Sequence, residues 1–117
     1  MGLTYIRATV SSNGRKSRLR LLVDSGAQYT LLPYRTWQAL HLKRKRTETF
    51  QLADGTTVDR EMSECYITIP KLGEAHTPVI LGEPGDEALL GVITLEIIGL
   101  VLNPFTRKLQ PMRMMLA

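Results

Sequence analysis

The residues best able to do chemistry in this chain lie in one short stretch, Leu21-Leu22-Val23-Asp24-Ser25-Gly26-Ala27, followed by Gln28-Tyr29-Thr30-Leu31-Leu32. An apolar run meets a carboxylate, a hydroxyl and a glycine, and then resumes as a second apolar run. A carboxylate at the end of a buried strand is costly unless other groups satisfy or share its charge. Asp24 is therefore the residue that calls for a reason. Other reactive side chains offer less. Cys65 is the only cysteine, which excludes an internal disulfide and any multi-cysteine metal site. His41 and His76 are the only histidines, and each is read as a surface histidine. No Cys-His or Ser-His-Asp set emerges, and neither a metal nor a cofactor is expected.

The elements that must position Asp24 follow from length, composition and pattern. At 117 residues the chain is read as one domain spanning 1–117, with a modest core and little room for a deep cleft. An enzyme of this size can need a second copy to complete its site. The composition, 44% hydrophobic and 22% charged, is that of a globular protein. No apolar run reaches the length of a membrane span, and the first ten residues lack a secretion signal, so a soluble, cytoplasmic protein is expected. The net charge of +4 is concentrated in Lys43-Arg44-Lys45-Arg46, with Arg15, Lys16, Arg18 and Arg20 as a looser second group. Such a run is usually a solvated loop, and nucleic-acid binding is the disfavoured reading.

In chain order, residues 3–10 and 18–23 form a first hairpin about Asn13-Gly14, delivering Asp24 at its far end. Residues 29–32 resume as a strand, Pro33 begins a helical turn, and residues 34–40 form a short helix with Trp37 as a core anchor. Residues 47–52 and 56–69 form a second hairpin through Ala53-Asp54-Gly55; its longer arm implies that part of it projects from the body. Period two puts Cys65, Ile67 and Ile69 on one face, which makes Cys65 a small core residue. Residues 77–81 and 88–91 give two more strands. Residues 92–98 form a helix stopped by Gly99, and residues 100–102 and 108–112 are the last strands, with Pro111 at a strand end or sheet edge.

Three features then stand in order: Val23-Asp24-Ser25-Gly26-Ala27, a projecting hairpin with Gly55 at its tip, and Leu89-Leu90-Gly91 ahead of a short helix. In that order they resemble the retropepsin-like aspartic proteases, the retroviral-type family and its bacterial relatives, and a bacterial member is expected. The resemblance runs over residues 3–109. It implies a mainly β, single-lobe acid protease fold with closed, barrel-like sheets, a flap hairpin and one or two short helices, completed as a homodimer.

The chemistry such a family performs needs one group to take a proton from water and another to hydrogen-bond the carbonyl oxygen. Two adjacent carboxylates sharing one proton do both. Only one such motif is present, and Asp54, Asp59 and Asp86 sit in turn-like or solvent-like contexts, so Asp24 must meet Asp24 of a second subunit. By the same resemblance, Ser25 braces the two loops across the axis, Gly26 allows close backbone approach, and Ala27 lines the cleft. Ala53, Asp54 and Gly55 lie at the tip of a flap spanning 47–63 and contact an extended peptide. Leu89, Leu90 and Gly91 support the Asp24 loop. Two departures from viral members are the polar flap tip and Val92 in place of a polar brace. The terminal strands and the tail with Met112, Met114, Met115 and Leu116 are the expected interface. The activity implied is an aspartic endopeptidase; the alternative is a catalytically weak or inactive dimerisation or peptide-binding module on the same fold.

Overall fold

The computed structural model describes residues 3–112. The first hairpin pairs β1 (Tyr5–Ser12) with β2 (Arg15–Val23) from Tyr5↔Leu22 to Ser12↔Arg15. Asn13 and Gly14 close it at φ of 53° and 71°, the left-handed pair that a two-residue turn of matching twist requires. Thr30–Leu32 forms β3, and α1 (Tyr34–Ala39) follows with Pro33 just outside it as the N-cap, where the expectation had placed the first helical residue. The Pro33 carbonyl accepts the amides of Thr36 and Trp37, starting the helix.

The second hairpin joins β4 (Arg46–Gln51) to β5 (Thr57–Ile69). β5 changes partners along its length. Thr57 to Met62 pair with β4, whereas Met62 to Ile69 pair with β6 (Gly73–Leu81). The residues before Met62 are exposed or half-buried, and from Met62 onward every inward side chain is buried. The projecting part is therefore 46–61; Ser63, expected in the flap, is buried in the body. β6 begins earlier than its sequence pattern suggested, so His76 lies within a strand, edge-on to Tyr66 at 4.9 Å.

Leu89–Leu90 forms β7, α2 (Val92–Ile98) ends at Gly99 in the left-handed region, and β8 (Leu100–Leu102) pairs with β9 (Leu109–Pro111) as a separate two-stranded sheet. The main sheet runs β1-β2-β7-β3-β6-β5-β4, and a further pairing of β1 with β5 at Thr9↔Thr68 to Ser11↔Tyr66 closes it into a barrel. That closure covers only the far half of β1: Thr9 to Ser11 pair on both sides, while Tyr5 to Ala8 pair with β2 alone. Within the barrel Val10, Leu21, Leu32, Leu40, Ile67 and Leu90 are fully buried. No helix among the described residues is long and apolar enough to cross a membrane.

Candidate active site

β2 and β7 run parallel, with Leu22↔Leu89 and Val23↔Leu90 in register, and the ladder continues one residue further: the Asp24 amide donates to the Leu90 carbonyl at 3.1 Å. On the other side, the Val23 amide donates to the Thr4 carbonyl at 2.8 Å. The backbone leading into Asp24 is thus held from both edges. Beyond it the chain turns sharply, the Ala27 amide donating to the Asp24 carbonyl at 3.1 Å and the Gly26 amide to Asp24 Oδ1 at 2.9 Å. A Cβ on Gly26 would stand 3.3 Å from Oδ1, so a larger residue would press on the Asp24 carboxylate.

The start of α2 fixes the other end of the loop. The Val92 amide donates to the Ala27 carbonyl at 2.9 Å and the Ile93 amide to the Gln28 carbonyl at 3.0 Å. These are amides that an α-helix cannot satisfy internally. Two loops can cross this closely only over a glycine: a Cβ on Gly91 would lie 2.4 Å from the Tyr29 carbonyl carbon and 2.6 Å from its oxygen. Val92 therefore contributes through its amide, whatever its side chain.

Beneath the crossing lies a buried chain of hydroxyls that the sequence reading missed. The Gly91 amide donates to Thr30 Oγ1 at 3.0 Å, Thr30 and Thr94 hydroxyls meet at 2.6 Å, those of Thr94 and Thr77 at 2.7 Å, and Thr77 Oγ1 donates to the Pro78 carbonyl at 3.2 Å. A carbonyl only accepts and each hydroxyl has one proton, so the direction is set: Thr30 donates to Thr94 and Thr94 to Thr77. All three threonines are at most 1% exposed. Their signal was a threonine inside each of three apolar runs, because a buried hydroxyl needs a partner. Which partner it finds is not a local property.

In the single protomer Asp24 is half-buried, while Ser25 and Gly26 are exposed. The charge problem posed by the sequence is met in part by the Gly26 amide on Oδ1. Asp24 Oδ2 and the Ser25 hydroxyl have no partner among the described residues. Leu90 is buried beneath the loop and Leu89 half-buried at its flank, next to Leu31.

Ala53, Asp54 and Gly55 lie at the tip of the projecting hairpin, remote in the chain from Asp24 and all exposed. Gly55 sits at φ 89°, its amide donating to the Leu52 carbonyl at 2.9 Å. Asp54 Oδ1 accepts from the Thr56 hydroxyl at 2.6 Å and the Thr56 amide at 2.9 Å, and these bonds hold its carboxyl below the usual carboxylate range. Along the hairpin's arms, Phe50, close to the tip, meets Tyr29 edge-on at 5.9 Å, and Arg60, nearer the base, bridges to Glu83 at 3.0 Å and Asp86 at 3.3 Å across to the β6–β7 loop. Asp59 lies in β5, exposed to solvent as expected, accepting from the Thr49 hydroxyl at 2.7 Å. Cys65 is buried, and burial pushes its thiol up to about 12, which suits a core residue and not a nucleophile.

Residues 8–96 match the family described as "gag-polyprotein putative aspartyl protease". Among solved structures, EIAV protease complexed with the inhibitor HBY-793 superposes with a TM-score of 0.62, covering 84% of this chain and 89% of that one at 18% sequence identity. At that identity the likeness is one of fold, and the fold is the retropepsin-like one anticipated from the sequence. No curated protein matches the chain.

Proposed function

The chain belongs to the gag-polyprotein aspartyl protease family, and from that premise we propose that it is an aspartic endopeptidase whose site forms when two copies bring their Asp24 residues together. One observation carries the reading. Asp24 stands on a loop fixed by backbone bonds from Thr4, β7 and α2, yet one carboxylate oxygen has no partner among the described residues. A group so firmly positioned and so incompletely satisfied suits a partner arriving from outside the protomer. Two such carboxylates at hydrogen-bond distance cannot both ionise, so they share a proton. The ionised one takes a proton from water, the protonated one hydrogen-bonds the peptide carbonyl, and water adds to the carbonyl carbon. Proton return to the amide nitrogen then breaks the C–N bond.

Supporting roles follow from placement. The unpartnered Ser25 hydroxyl braces the opposite loop across the axis, and Gly26 keeps the approach narrow. Ala27 lines the floor, with Leu89, Leu90 and Gly91 as its support. The hairpin tip at Ala53, Asp54 and Gly55 closes over an extended peptide and excludes water. The docking face lies beside Asp24. Thr4, which accepts the Val23 amide, also donates its hydroxyl to the Arg107 carbonyl at 3.0 Å, bringing the β8–β9 turn to the same side. There Leu3 is 69% and Phe105 92% exposed, side chains too apolar to leave in water without a use. β8, β9 and the Tyr5–Ala8 half of β1, which β5 does not reach, supply unpaired edges. Of the tail proposed for this interface, Met112 is half-buried with its amide on the Gly99 carbonyl, and Met114, Met115 and Leu116 lie outside the described residues.

One observation favours the weaker alternative, a peptide-binding module with little catalysis. The Gly55 and Thr56 amides at the tip are both used within the tip and are not free to hold a substrate. Incubating a peptide library with the wild type and with Asp24→Asn, alongside sedimentation, separates the two. The protease reading expects cleavage to vanish in the variant while the dimer persists. Peptide capture without cleavage by a verified wild-type dimer supports the alternative.

A further inference from the structure

Two basic runs that looked unrelated each send part of their charge to one cavity of about 640 Å³: Arg15 and Lys16 from the first, Lys43 and Lys45 from the second. One wall comes from the β1–β2 turn with Arg15 and Lys16, the other from the loop after α1 with His41, Lys43 and Lys45. Nine residues of β2 separate this turn from Asp24, roughly 30 Å at the usual rise, so the cavity belongs to the opposite end of the molecule.

The convergence is built into the chain. The Asn13 side-chain amide donates to the Leu40 carbonyl at 3.1 Å and the His41 carbonyl at 3.2 Å, tying the turn to the loop. Both Asn13 and His41 hold left-handed backbone angles, 53° and 56°, to make that contact. Glu64 is the only acid in the lining and is already engaged by Lys45 at 2.8 Å. Arg15, Lys16 and Lys43 have no ion-pair partner among the described residues. Arg15, Lys16 and Lys43 line one concavity with no counter-charge of their own among the described residues, a local excess of positive charge that an anion would relieve.

We propose that this cavity is a binding site for a compact cluster of phosphate groups, recognised by Arg15, Lys16 and Lys43 and separate from the Asp24 site. An arginine fork, two ammonium groups and the Ser11 and Ser12 hydroxyls are donors suited to phosphate oxygens. A nucleic-acid strand fits less well, since it needs a track of cations with free aromatic faces. Tyr66, the one aromatic residue of phenol or indole type in the lining, has its ring against His76 and its hydroxyl on Glu74 at 2.6 Å.

Calorimetric titration of the full chain at low salt tests the proposal with inorganic triphosphate, inositol hexakisphosphate and vesicles carrying phosphatidylinositol bisphosphate. Saturable binding of the soluble probes is expected; vesicle binding far tighter than either assigns the source to a lipid headgroup. Arg15→Gln and Lys43→Gln should each weaken binding by about tenfold, the loss of one charge-assisted hydrogen bond, with unchanged melting temperatures. Asn13→Gly keeps every cation and tolerates the backbone angle but releases the tie between the walls, and it should weaken binding as well. Asp24→Asn should bind like the wild type. The proposal is overturned by absence of binding to all three probes, by binding that ignores Arg15 and Lys43, or by a single-stranded oligonucleotide that binds more tightly than the phosphates.

Discussion

The Asp24 loop and the tip of the β4–β5 hairpin are both glycine-bearing turns, and they are held in opposite ways. The first is fixed by distant parts of the chain: Thr4, Leu90, Val92 and Ile93 all bond the stretch from Val23 to Gln28. The tip is fixed only by itself, through bonds among Leu52, Asp54, Gly55 and Thr56. Every residue of that tip is exposed, whereas the ground under the Asp24 loop is buried down to its hydroxyls. On the proposed function, the difference separates two requirements of one site. A reacting group must be held in place before the substrate arrives, and a cover must be able to move.

Substitutions break or sharpen that contrast in a definite order. Gly91→Ala should be the most damaging, since its Cβ meets backbone that cannot yield; a loss of about 3 kcal/mol or more in denaturant unfolding is expected. Thr94→Val keeps the shape but leaves Thr30 and Thr77 each short of a partner, which should cost about 2 kcal/mol and lower kcat through a displaced loop. Melting curves and single-substrate kinetics read both.

At the tip the effects should move from stability to substrate handling. Gly55→Ala strains a turn at φ 89° and should cost about 1 kcal/mol or less, yet raise KM visibly. A small loss of thermal stability with KM clearly raised and kcat kept is the signature of a cover; equal losses in kcat and stability would place the tip with the fixed half. The Asp54 turn adds a pH dependence. Its carboxyl titrates below the ordinary range because the charged form accepts two bonds from Thr56. Those bonds are fully present above the unfolded carboxylate range and are lost only as pH falls through the depressed value. Amide exchange at Thr56 should therefore stay slow in mild acid and quicken only below it, and Asp54→Asn should flatten that response. Smallest of all, Cys65 should ignore thiol reagents in the native protein near neutral pH, because its thiol is buried and pushed up to about 12.

The same contrast explains what could be read in advance. Turns and caps announce themselves locally: Asn13-Gly14 and Asp54-Gly55 closed the hairpins as expected, and α2 ran over Val92–Ile98 to a left-handed Gly99. The close approaches at Gly26 and Gly91 beside the Asp24 turn could be expected because the order of short motifs carries them. Hidden from sequence were features settled by residues far apart. Gly91 meets Thr30 across 61 positions and Thr30 meets Thr94 across 64, and no spacing rule links threonines in three different runs. The pairing of β1 with β5 that closes the barrel is of the same kind, joining Thr9–Ser11 to residues more than fifty positions away. Asn13 likewise joins two basic segments that looked independent.

The central claim is that catalysis needs two Asp24 carboxylates from two chains. Wild-type and Asp24→Asn chains, unfolded and refolded together at a fixed total concentration, test it directly. If each site requires both, activity should fall as the square of the wild-type fraction, leaving about one quarter at an equal mixture. A linear fall, with half the activity remaining at that point, would mean that one Asp24 suffices and would contradict the account.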